Sequence, residues 1–113
     1  TKVLLLGFVS DKRKYELIGR SKLFLFPSYE EGWGIALAEA LYTNCIGVCY
    51  ELPHYQSLFA DYPIYVKIGN LEEFKNATLA ANHSAVRPGQ KSFIAQYQDR
   101  KVIEDVLARL GAA

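Results

Sequence analysis

Four apolar runs constrain this chain more than anything else in it: Val3 to Leu6, Leu23 to Phe26, Ile46 to Tyr50 and Ile64 to Ile68. The first three are apolar along their whole length instead of alternating with polar residues. A strand with one wet face alternates, whereas a strand covered on both faces does not. Each run is followed by turn-forming residues and then by a segment with helical spacing. Ser10 or Asp11 is positioned to cap a helix reaching about Arg20, with Tyr15, Leu17 and Ile18 on its apolar side. Gly34 to Thr43 reads as a second helix, closed near Asn44, a residue that tolerates a left-handed cap. Gln56 to Ala60 fits a short helix, Leu71 to Ala81 a longer one, and Asp99 to Leu110 an amphipathic one stopped by Gly111. The expected fold is therefore α/β, a Rossmann-like parallel sheet of four strands with helices on both faces. No internal repeat interrupts this pattern, and the one loose stretch is residues 83–90, around Pro88-Gly89.

The 113 residues suffice for a single domain, residues 1–113, with a modest core. Half of them are hydrophobic, and six Phe, eight Tyr and one Trp supply interior volume. A net charge of +1 with interspersed signs lacks the basic footprint of a nucleic-acid binder. No apolar run approaches the roughly 20 residues of a membrane span, and no signal-peptide pattern is present. The chain starts inside an expected strand and has no methionine, which reads as a piece of something longer. Cys45 and Cys49 fall four apart in one expected strand. Their Cα atoms would lie ~13 Å apart, beyond disulfide reach, and no second Cys/His cluster completes a zinc site. They read as small core residues of a reducing compartment.

Chemistry concentrates in Pro27-Ser28-Tyr29-Glu30-Glu31-Gly32-Trp33-Gly34 and the helix that follows it. That helix is apolar on nearly every side except at Glu39, and a carboxylate there needs a partner. Glu31 stands eight residues earlier, in the glycine-rich turn that opens the helix. In open parallel sheets, ligands bind beyond the carboxyl ends of the strands. The turn after Phe26 lies there, as should Gly7 to Ser10 and Glu51 to His54. Amides of Gly34, Ile35 and Ala36 belong to the unpaired donors of a helix start, where an anion can sit. Neither the dinucleotide fingerprint nor the P-loop is present. Simple pairing of Glu39 with Arg20 or Lys22 is the structural alternative. Lys12-Arg13-Lys14 reads as a solvated face, Trp33 as packing, and His54 as a surface-loop histidine.

Gly7-Phe8-Val9-Ser10, Leu23-Phe24-Leu25-Phe26-Pro27-Ser28, Glu31-Gly32-Trp33-Gly34-Ile35 and Glu39-Ala40-Leu41 together resemble the C-terminal domain of family-4 glycosyltransferases. These are retaining enzymes of the two-domain GT-B fold. The resemblance implies a partial donor-binding half-domain, truncated on its N-terminal side. It places Glu31 at the transferred sugar beside the reacting centre, as the catalytic residue. It places Glu39 at the ribose hydroxyls of the nucleotide, the amides of Gly34, Ile35 and Ala36 near the sugar and diphosphate, and Val9 beside the base. It implies no metal and no cofactor, since helix amides can stabilise a departing diphosphate. The implied partners are a nucleotide-diphosphate sugar donor and, through an upstream N-terminal domain, a saccharide or lipid acceptor; no nucleic acid is implied. A cytoplasmic location follows, with peripheral association of the parent at the cytoplasmic membrane face left open. The family's diphosphate-clamping Arg and Lys precede the segment corresponding to Val3, so the chain alone is expected to bind donor weakly and to be inactive. Asn44 and Ile46 replace the family's usual Gly and Pro, and Gln56 stands near a frequent Glu. Two other classes fit the same elements: a non-catalytic α/β interaction module, and another doubly wound enzyme such as a phosphate-binding hydrolase or epimerase.

Overall fold

Three parallel strands form the sheet, in the order β1 (Leu23–Phe26), β2 (Ile46–Tyr50) and β3 (Ile64–Val66). The structure, a computed structural model, describes residues 3–30 and 34–97. Helices α1 (Asp11–Gly19), α2 (Ile35–Tyr42), α3 (Tyr55–Phe59), α4 (Leu71–Ala81) and α5 (Gln90–Tyr97) complete it. The architecture is α/β and Rossmann-like. The register pairs Leu23 with Ile46 and Phe26 with Cys49, then Val48 with Ile64 and Tyr50 with Val66. The first residues of all three strands therefore share one end of the sheet, and their last residues share the other.

Period-two alternation sends the strand side chains to two separate cores. Cys49 and the partly buried Phe24, Phe26 and Tyr65 face α2, α3 and α5, where Leu37, Leu41, Tyr55, Phe59 and Ile94 are buried. Ile46, Val48, Tyr50 and Val66 face α4, through Phe74 and Ala81. Every residue of β2 is buried, as its uninterrupted apolar run requires. Helix α1 docks through Tyr15 and Ile18 onto Ala40, Cys45 and Phe24, and so sits beside α2. Burial raises the thiol of Cys49 to about 12, and the nearby Glu51 carboxylate adds to that rise. Both cysteines are free.

The first expected strand is not one. Residues 3–6 are coil, and Leu5 and Phe8 are 95% and 99% exposed. A strand exists only through a hydrogen-bonded neighbour, and among the described residues nothing pairs with this run. Strand β3 also ends at Val66, two residues before the expected end. The expected loose stretch at 83–90 stops at Gln90, where the unforeseen α5 begins. The helix expected over 99–110 lies outside the described residues.

Gln90 explains why α5 returns to the α2 face. It is 2% exposed, and its side-chain amide donates to the carbonyls of Leu41 (2.9 Å) and Cys45 (2.8 Å). Those carbonyls lie at the end of α2 and the entry to β2, where a helix leaves acceptors unpaired. Gln90→Leu keeps the bulk and removes both donors; the Leu41 carbonyl keeps the Asn44 amide (3.1 Å), while the Cys45 carbonyl loses its donor. The expected loss is about 2 kcal/mol of unfolding free energy, read as a lower midpoint in urea denaturation; an unchanged midpoint would contradict this role.

Candidate functional site

Helix α2 runs from the carboxyl end of β1 back to the amino end of β2, so its first turn opens at the carboxyl edge of the sheet. Helix α1 precedes β1 in the same sense, which brings the loop of residues 7–10 to that edge too. Glu51 to His54, following β2, is the third segment there. The three loops expected to share one side do so. On the loop leaving β1, Ser28 Oγ donates to the Glu30 carbonyl (2.9 Å), and the Tyr29 ring stacks on Tyr50 at 5.3 Å. The loop is thus tied down over the end of β2. Glu31 and Trp33 lie outside the described residues.

Gly34 opens α2 in the left-handed conformation, with φ of 63° and ψ of 41°. A Cβ at this position would meet Phe59 Cζ at 3.1 Å and Tyr55 Cε1 at 3.4 Å. Glycine therefore meets two demands at once, a positive φ and a close approach of backbone to aromatic rings. The start of α2 has no side-chain cap, whereas Ser10 accepts from the Arg13 amide at α1 and Asn70 from the Glu73 amide at α4. The first hydrogen bond returning into α2 is from the Ala38 amide to the Gly34 carbonyl (2.9 Å). The amides preceding it have no carbonyl one turn back in the helix, as at any helix start. Ile35 is exposed, Ala36 half-buried, and Val9 half-buried in the neighbouring loop.

Glu39 is one turn further in, 2% exposed, on the flank of α2 that meets α1. The Tyr15 hydroxyl donates to its Oε1 at 2.7 Å. Lys14 Nζ stands 3.7 Å from Oε2, too far for a hydrogen bond but close enough to balance the charge. Among the described residues Oε2 is buried and accepts no hydrogen bond. A buried carboxylate oxygen in that state costs of order 1–3 kcal/mol, and such an atom asks for a donor from elsewhere. The expected alternative partners, Arg20 and Lys22, are not the ones used. Lys14 is also not simply solvated: its side chain is about 40% exposed, yet it reaches Glu39 and lies over the Tyr15 ring at 4.6 Å. Its neighbour Arg13 does face solvent, paired loosely with Glu16 at 3.5 Å.

The His54 side chain caps nothing; it packs edge-on against Tyr55, and among the described residues its Nε2 is buried with no hydrogen bond. A cavity of about 250 Å³ lies at the opposite, amino end, lined by Ile46, Ile64, Tyr62, Arg87 and Gln90. Two of its polar side chains are already engaged: Arg87 donates to the Asp61 carbonyl and Gln90 to the carbonyls of Leu41 and Cys45. The uncommitted acceptor and the grouped donors are therefore at the carboxyl end. Among the described residues no three His, Cys, Asp or Glu side chains gather to hold a metal ion, and no helix is long and apolar enough to cross a membrane.

Gly34→Ala should cost about 2 kcal/mol of stability, through left-handed strain and the Phe59 contact. The α2 first-turn amides should exchange faster with solvent in the variant; unchanged stability and exchange would contradict the assigned geometry.

Comparison with known proteins adds one finding. The family model described as Glycosyl transferases group 1 matches residues 1–101. A search of curated proteins finds no match, and neither does one of solved structures.

Proposed function

The chain belongs to the glycosyl transferases group 1, and on that premise we propose that it forms the nucleotide-sugar donor side of a retaining, GT-B-type hexosyltransferase. The observation that supports this reading is the buried Glu39, whose Oε2 has no hydrogen-bond donor among the described residues, one turn from the start of α2, which lacks a side-chain cap. In the proposed complex Glu39 accepts from ribose hydroxyls. A carboxylate accepts such donors well, at about 1.5–3 kcal/mol per charge-assisted bond. The amides of Gly34, Ile35 and Ala36 take the sugar and the diphosphate, whose charge grows as the glycosidic bond breaks. Fixed dipoles that need no reorganisation are effective at such a point. Val9 borders the base, and Glu31 stands at the transferred sugar, where an oxocarbenium-like centre develops. The acceptor is a saccharide or lipid, and the proposed location is cytoplasmic.

The exposed run Val3, Leu4, Leu5, Leu6 and Phe8 favours a second reading, an interaction module with no nucleotide affinity. Titration separates the two. UDP, GDP or ADP added to the chain should move the NMR amide signals of Gly34, Ile35 and Ala36 before others, and Glu39→Ala should weaken the effect about tenfold or more. Absence of any shift at millimolar nucleotide would support the module instead.

The two glutamates should fail differently in the active protein. Glu39→Ala removes binding made in ground and transition states alike, so donor KM should rise with kcat nearly unchanged. Glu31→Ala should mainly lower kcat, and Glu31→Gln separates charge from shape. A kcat for Glu31→Ala within about twofold of wild type, under ~0.5 kcal/mol of barrier, would remove Glu31 from the chemistry.

A further inference from the structure

We infer that Tyr15 is a positioning residue for donor binding, holding Glu39 so that one carboxylate oxygen is spent on α1 and the other is presented to a ribose hydroxyl. The inference rests on the proposed donor role of Glu39 and extends it to α1, which carries none of the motif residues.

Three observations converge on it. The Tyr15–Glu39 bond is short, 2.7 Å, and buried between two helices that meet otherwise through apolar Ile18 and Ala40 and the Lys14–Glu39 pair. In such surroundings a single hydrogen bond fixes the rotation of the carboxylate, because no water competes for it. The oxygens are also unequal. Oε1 has its donor in Tyr15, while Oε2 has only the charge of Lys14 at 3.7 Å and no hydrogen bond among the described residues. Lys14 is half-exposed and held by one further contact, over the Tyr15 ring. Its ammonium can move aside or stay as a counter-charge when a hydroxyl arrives at Oε2. Without the Tyr15 hydroxyl, the carboxylate has two equivalent unpaired oxygens and a compact cation beside it. It would then turn toward Lys14, and the ligand would have to undo that pairing.

A purely structural Tyr15 would act on any ligand alike, whereas a positioning residue acts only through the hydroxyl that Glu39 receives. The test is therefore a cycle on the 113-residue chain, Tyr15 or Tyr15→Phe against UDP or 2′,3′-dideoxy-UDP, with Kd from NMR titration. GDP or ADP and their dideoxy forms replace these if one of them binds more tightly. Tyr15→Phe keeps the ring that packs on Ile18, Ala40 and Cys45. Expected is a loss of about five- to tenfold for UDP and less than about twofold for the dideoxy ligand, so that the two changes are not additive. Equal losses for both ligands, or none for either, would overturn the inference. A second measurement needs no substitution: with tyrosine labelled at 13Cζ, the Tyr15 signal of the wild-type chain should move with UDP and stay in place with the dideoxy form. Movement with both or with neither would count against it. If the wild-type chain binds no nucleotide, the donor reading itself falls and this inference with it. If UDP binds and Glu39→Ala weakens it while Tyr15→Phe does not, the donor reading stands and only the role of Tyr15 is lost.

Discussion

Helix α2 is buried on almost every side, and the rest of the structure is arranged around the conditions for burying it. Leu37, Ala38, Glu39, Ala40 and Leu41 are all inside. A helix in that position must approach its sheet closely, and Gly47 makes this possible: a Cβ there would stand 2.9 Å from Leu37 Cδ1 and 3.2 Å from Leu41 Cδ2. Its far end must also find donors for its last carbonyls; the amides of Thr43, Asn44 and Cys45 and the Thr43 hydroxyl supply most of them. The Gln90 amide adds one to Leu41 and one to the following Cys45. Its near end must begin directly against the rings of Tyr55 and Phe59, which Gly34 allows. Among the described residues, Glu39 Oε2 on this helix is buried without a hydrogen bond. A helix otherwise satisfied in this way carries such an atom at a real free-energy cost, which the proposed ligand would offset.

The second constraint is where the sheet places the helix starts. Parallel strands with helical crossovers bring the loops before α1 and α2, and the one after β2, to the same edge. Helix α2 starts at that edge, and Glu39 lies one turn further in. Tyr15 and Lys14 arrive from α1 only because α1 packs flank to flank on α2. A site divided between a helix start and a helix–helix seam is rigid on both sides, which suits a function of holding charge and hydroxyls in fixed positions.

Much of this was legible in the residues. The bounds of β1, β2 and α4 coincide with apolar runs or with spacing closed by strong capping residues, as at Asn70, whose side chain accepts from the Glu73 amide at 2.9 Å. The left-handed Asn44 (φ 66°) at the exit of α2 was equally readable, since few other residues tolerate it. The run of residues 3–6 misled, because apolar character states that a segment wants covering and cannot state what covers it. Helix α5 was hidden because it starts at a buried glutamine just after Pro88-Gly89, a pattern that resembles the end of structure more than its beginning. At the site, the burial of Glu39 followed from its apolar neighbours, but its partners did not. Tyr15 is 24 residues away, and the pairing depends on how two helices lie against each other, which no local spacing encodes. Lys14, set in a run of three basic residues, gave no sign that one of them turns inward.

We propose the Oε2 of Glu39, beside the open start of α2, as the place where a nucleoside diphosphate binds. The most direct measurement is a crystal structure of the chain grown or soaked with UDP, GDP or ADP. Expected are a ribose hydroxyl within hydrogen-bond distance of Glu39 Oε2, the Tyr15 bond to Oε1 kept, and phosphate oxygens facing the amides of Gly34 to Ala36. A nucleotide seated instead in the cavity at the amino end of β2 and β3, with Oε2 still without a donor, would contradict it.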